Sequence, residues 1–138
     1  MTSSETVTPP AIGVSLVDGD PAIRHARQLM LRSENYDVRS YVTSAALLAD
    51  PRSRDYPCIV LDVELNEGGD GLGLLREMRA TGWRGRAILL DGQDPDGDFV
   101  RTAREHGDRV MERAVGDGAL LTAIAASIDR SWSGWNAG

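Results

Sequence analysis

Two short runs, "CIVLD" (58–62) and "RAILLD" (86–91), constrain this chain more than any other feature. Each is apolar at nearly every position until it meets an aspartate. A strand with one wet face alternates apolar and polar residues, whereas an uninterrupted apolar strand belongs in a parallel sheet covered on both faces. Parallel strands need a crossover between them, and the intervening segments supply it. "IGVSLV" (12–17) reads as a first strand, followed by "DPAIRHARQLMLRSEN" as a helix with Asp20 as N-cap and Pro21 at the first helical position. Its residues Ile23, Ala26, Leu29 and Met30 are expected to form the inward stripe.

The alternation continues to the end of the chain. "YDVRSYV" (36–42) is a short strand, and "TSAALLAD" (43–50) a short helix stopped by Pro51. "GLGLLREMRATG" (71–82) is a helix with Leu72, Leu75 and Met78 inward and Gly82 at its end. "DGDFVRTAREHG" (96–107) is a fourth helix and "RVMER" (109–113) a fifth strand. The closing helix begins near Asp117, its expected N-cap, with Leu121, Ile124 and Ile128 as its inner stripe. The fold expected is a three-layer, doubly wound (βα)5 α/β domain around a central five-stranded parallel sheet. Residues 11–131 form that domain, between a disordered leader (1–10) and a flexible tail (132–138).

Such sheets gather their chemistry outside the carboxyl ends of the strands. Three strands end there on an aspartate, Asp18, Asp62 and Asp91, and Asp20 follows just beyond the first. An acidic pocket is the expectation.

At this point the stretch "VSLVDGDPAIRHARQLMLRSENYDVRSYVTSAALL", followed by "PCIVLDVEL", resembles the receiver domain of bacterial response regulators. The likeness is greatest to receivers of the nitrogen-fixation (FixJ/LuxR) type of transcription regulator, and it spans about residues 11 to 130. It implies a flavodoxin-like, CheY-like fold. It also implies a function in two-component phosphorelay signalling, in which a histidine kinase or phosphotransfer protein delivers a phosphoryl group to an aspartate beside Mg²⁺. Asp62 matches the phosphoacceptor, Asp18 the first member of the family's acidic pair, and Asp20 the third position of that loop. Asp18, Asp20 and Asp62 are therefore the expected Mg²⁺ ligands.

Several positions depart from the pattern. The second acid falls on Gly19. The hydroxyl residue after the fourth strand falls on Asp91, the lysine on Arg113, and the proline after it on Ala114. The aromatic switch residue falls on Val110. The loop after Asp62 is one residue longer than usual and carries Asn66 in place of proline. Mg²⁺ tolerates one or two carboxylates with several waters, so binding is expected to survive in weakened form. Arg113 keeps a permanent charge and bidentate reach to phosphate. An ionised Asp91 has no proton to donate to a phosphoryl group: either it turns outward, or it pairs with Arg113 as a compensating ion pair, or the phosphorylated state is disfavoured. The resemblance thus implies a signalling module rather than an enzyme. The alternative is a phosphorylation-independent pseudo-receiver acting as a protein-interaction module. Dimerisation through the α4–β5–α5 face belongs to the first reading.

Composition removes other classes. A net charge of −6 offers no general field for nucleic acid or anionic membrane. A single cysteine, Cys58, rules out an internal disulfide, and no apolar run approaches a membrane span. Residues 1–10 lack a signal peptide's basic start and apolar run, so a cytoplasmic location is expected. Asp94, Asp96, Asp98 and Glu105 copy a calcium-loop spacing, but Phe99 stands where that loop needs glycine. "GGDGLG" has neither the spacing nor the position of a dinucleotide fingerprint. His25 and His106 lack ligand spacing and are expected at the surface.

Overall fold

In the computed structural model, residues 12–62, 71–90, 98–105 and 107–136 are described, without the side chains of 71, 72, 98–100, 102 and 129–136. Five strands alternate with five helices: β1 Gly13–Val17, α1 Pro21–Ser33, β2 Asp37–Tyr41, α2 Ser44–Ala49, β3 Cys58–Asp62, α3 Gly71–Ala80, β4 Arg86–Leu90, α4 Asp98–Glu105, β5 Arg109–Met111 and α5 Asp117–Asn136. All strand pairs are parallel, in the order β2-β1-β3-β4-β5. The expected doubly wound architecture is the one observed. The chain reverses its direction of travel across the sheet at β1, so the switch point lies between β1 and β3, at the carboxyl ends that carry Asp18 and Asp62.

Period-two alternation along each strand sorts the core into two layers. Val14, Leu16, Cys58, Val60, Ile88 and Leu90 face one side, where Leu31 of α1 and Leu120, Ile124 and Ile128 of α5 cover them. Val17, Ile59, Leu61, Ala87 and Leu89 face the other, against Leu47, Leu74, Leu75, Met78 and Ala103 from α2, α3 and α4. Asp18 and Asp62 share the parity of Leu16 and Val60, so both belong on the side covered by α1 and α5.

Three helices end in the same way. Asn35, Gly82 and Gly107 all adopt positive φ (70°, 97° and 83°). At each, two amides return to the last turn: Gly82 to Arg79 and Trp83 to Met78, for example. This is the paired closure that a left-handed residue permits, and Trp83 and Met78 then pack together in the second layer. Gly82 ends α3 as its sequence predicts.

Four differences from expectation have physical causes. Pro51 does not simply stop α2, because a 3₁₀ turn runs from Pro51 to Asp55, capped by Asp50. Asp117 is the first helical residue of α5 rather than its N-cap, since Leu120 closes its first turn on the Gly116 carbonyl. The same helix runs to Asn136, beyond residue 131, because no proline interrupts it. Most consequentially, α1 is rotated relative to its hydrophobic stripe. Leu29 is 52% exposed and Ala26 is exposed, while Arg27 and Leu31, four residues apart, are its buried positions.

Candidate functional site

Asp18 directly follows β1 and Asp62 is the last residue of β3, each 1% exposed. The loop after β1 is held by the start of α1. The Asp20 carboxylate caps that helix through the amides of Ala22 (2.9 Å) and Ile23 (3.2 Å). Its own amide donates to Asp18 Oδ1 at 2.9 Å, folding the loop back on the strand end. Asp20 is half-buried, and Gly19 between the two aspartates leaves no third carboxylate on this loop.

Three guanidinium groups answer these carboxylates. Arg24 donates to the Asp18 backbone carbonyl at 2.8 Å. Arg27 donates to Asp18 Oδ2 at 3.2 Å and, through its other terminal nitrogen, to the Arg113 backbone carbonyl at 2.9 Å. Arg113, in the turn between β5 and α5, brings Nε within 3.2 Å of both Asp62 oxygens. Side-chain exposure is 10% for Arg27 and 32% for Arg113, so Arg27 is an internal cation while Arg113 stands at the solvent side of Asp62. Burial pushes the Asp18 carboxyl above its ordinary range. The neighbouring charge of Asp62 adds to that shift, and the Asp20 amide and Arg27 oppose it.

Of the sequence-derived site residues, the structure brings Asp18, Asp62 and Arg113 together and places Asp20 at the pocket's edge as a helix cap. Asp91 and Asn66 lie outside the described residues, and so does any Asp91–Arg113 pair; Arg113 reaches Asp62 itself. Val110 is half-buried against the α2–α3–α4 layer, and Ala114 is exposed. His25 is exposed, and His106 lies outside the described residues. Asp98 and Glu105 belong to helix α4, while Asp94 and Asp96 lie outside the description. Arg24 and Arg27 are the site residues that sequence reasoning missed. For Arg27 the available signal was its place four positions before Leu31, on the same face of the helix.

These features coincide with a family match. The chain belongs to the response regulator receiver domain family, whose model matches residues 14–125. It is 30% identical over 123 residues to the transcriptional regulatory protein FixJ of Azorhizobium caulinodans, covering 89% of this chain and 58% of that protein. The chain thus spans little more than half the length of that relative. Its fold is similar to that of the signal receiver domain of a LuxO repressor protein from Vibrio parahaemolyticus (TM-score 0.77, 16% identity, covering 88% of this chain and 92% of that one). It is likewise similar to a CheY-like receiver from Methanospirillum hungatei (TM-score 0.75, 18% identity, covering 89% and 98%).

Receiver domains typically bind Mg²⁺ in this acidic pocket. The residues present match that ion in chemistry, being hard carboxylate oxygens, but not in arrangement. Among the described residues, no three acidic, histidine or cysteine side chains stand together as a metal cage. Asp18 is engaged on both oxygens, Asp62 faces Arg113, and Asp20 Oδ1 is committed to its cap.

Proposed function

We propose that this receiver accepts a phosphoryl group on Asp62 from a histidine kinase or phosphotransfer protein of a two-component system. The observation that carries this reading is Asp62 itself, a carboxylate at the end of the central strand with the Arg113 guanidinium 3.2 Å from both oxygens on its solvent side. An Asp62 oxygen attacks the phosphorus of a phosphohistidine. The P–N bond breaks with its electron pair leaving on the imidazole nitrogen, and an acyl phosphate remains. The obstacle is two anions approaching one another, and a preplaced cation lowers it. Arg113 fills that role. It is exposed enough to swing aside, and its planar donors then reach the phosphoryl oxygens.

Were Mg²⁺ to be held here, Asp18, Asp20 and Asp62 are the carboxylates that would hold it, and it would supply positive charge beside the phosphoryl oxygens. Gly19 removes one expected ligand, and Asp91 in place of a hydroxyl removes a hydrogen-bond donor. The output of the modified domain is a change in affinity for a partner or a second copy through α4, β5 and α5.

A specific observation favours the second reading, a phosphorylation-independent interaction module: the Asp18–Arg27 ion pair balances the Asp18 charge without modification. Incubation with acetyl phosphate and Mg²⁺, followed by intact mass measurement, separates the two. A gain of one phosphoryl mass, lost in Asp62→Asn, supports phosphoacceptance. An unchanged mass, together with no amide chemical-shift change on adding beryllofluoride, supports the interaction module.

A further inference from the structure

We propose that Arg27 is a tethered cation that takes the place of a divalent metal in this pocket, so that any metal must displace its guanidinium from Asp18. The inference takes the pocket to be the receiver's acidic site, but does not require that Asp62 be phosphorylated.

The argument starts from where Arg27 lies. It occupies a core-facing position of α1, one turn before Leu31, and is only 9% exposed. A buried guanidinium is tolerated only when paired and hydrogen-bonded. Arg27 meets both conditions with groups that a metal or its waters would otherwise use. One terminal nitrogen binds Asp18 Oδ2 and the other binds the carbonyl of Arg113. Asp18 Oδ1 is already taken by the Asp20 amide.

Charge accounting leads to the same conclusion. The two fully buried carboxylates, Asp18 and Asp62, are each matched by one guanidinium, Arg27 and Arg113. Gly19 supplies no further negative charge. Among the described residues, both buried carboxylates of the pocket are therefore already paired with a cation before any ion arrives. A divalent ion placed at Asp18 would meet Arg27 at close range, in a site where screening is poor. Because Arg27 also holds the Arg113 carbonyl, expelling it would loosen the turn whose side chain grips Asp62. The cation and the latch are the same side chain.

The test measures Mn²⁺ and Mg²⁺ binding to the full chain by isothermal titration, with Mn²⁺ line broadening of amide resonances locating the site. Wild type is compared with Arg27→Gln and Arg27→Lys. Arg27→Gln is expected to bind Mn²⁺ at least about tenfold more tightly than wild type, because a competing unit charge has left a poorly screened site. Arg27→Lys, which keeps the charge, is expected to stay within about threefold of wild type on the same ground. Equal affinity in wild type and Arg27→Gln would overturn the proposal. Should Arg27→Gln fail to fold, as shown by its amide spectrum, the wild type decides. Mg²⁺ binding at the Asp18 loop with the Arg27 Nε–H resonance unmoved overturns the proposal. Absence of binding there, or binding that shifts that resonance, supports it. The intact-mass experiment on Asp62 reports independently, so failure of one reading is distinguishable from failure of the other.

Discussion

Asp108 offers a sharp test of how the sheet is held at the end opposite the pocket. It precedes β5, is 5% exposed, and places Oδ1 between two donors: the Ala87 amide at 2.9 Å and Arg79 at 2.8 Å. Ala87 is fully buried at the start of β4, so its N–H has no access to water if the carboxylate is removed. Asp108→Ala therefore leaves a buried backbone donor unsatisfied, which costs about 1–3 kcal/mol. Loss of the Arg79 bond adds less than a buried pair would, because Arg79 is 25% exposed and keeps its stacking over the Trp83 ring. The sum is about 3 kcal/mol, and for a chain of this size that lowers Tm by roughly 10 °C. Asp108→Asn keeps an acceptor for Ala87 and loses only the charge, so it should cost about half as much. Thermal unfolding followed by circular dichroism measures both. An alanine variant melting within about 1 °C of wild type would refute this assignment, as would an asparagine variant as damaging as alanine. Neither variant should change the mass gained from acetyl phosphate, since Asp108 and Asp62 lie at opposite ends of the parallel strands.

Cys58 lies wholly within β3, and burial pushes its thiol up to about 12, so iodoacetamide should leave the native protein unlabelled and add one carbamidomethyl mass only under denaturant; rapid native labelling would contradict this packing. Asp50 is held below the ordinary carboxylate range, first by the Tyr41 hydroxyl and then by the Arg52 amide. A lowered folded-state value means stability that is present above the unfolded value and lost as pH falls through the folded one. Asp50→Asn should therefore flatten the acid limb of the Tm–pH profile, and an unchanged limb would show that the carboxylate is not coupled to folding.

The pocket differs from the expected receiver pattern in how its charge is balanced rather than in where Asp62 sits. Asp62 stands at the end of β3, as the strand pattern demands, but the surrounding positive charge comes from arginines on α1 and on the β5–α5 turn. This explains why departures that looked separate along the chain belong together. Gly19 removes a negative charge beside Asp18, and Arg27 adds a positive one. Arg113, which the sequence resemblance sets at the family's lysine position, lies 3.2 Å from the Asp62 carboxylate. On the proposal above, a pocket whose buried carboxylates are already paired with arginines has less need of a metal.

The amino-acid sequence by itself determined the sheet, its layers and the positions of its acids. Short uninterrupted apolar runs that alternate with helical patterns suit central parallel strands covered on both faces, and Asp20 and Gly82 are short-range signals that mark the ends of helices here. Asp18 and Asp62 were legible because a strand's terminus and its period-two parity are local properties. The rotation of α1 was not local. Hydropathy ranks Leu29 above Arg27 for burial, and placed the inner stripe on Ile23, Ala26, Leu29 and Met30. The folded chain exposes half of Leu29 and buries Arg27 instead. The groups that make this favourable are the Asp18 carboxylate, nine residues earlier, and the Arg113 carbonyl, 86 residues later. A buried charge is acceptable only where its partners converge, and only tertiary structure brings the end of β1 and the turn after β5 to the same face of α1.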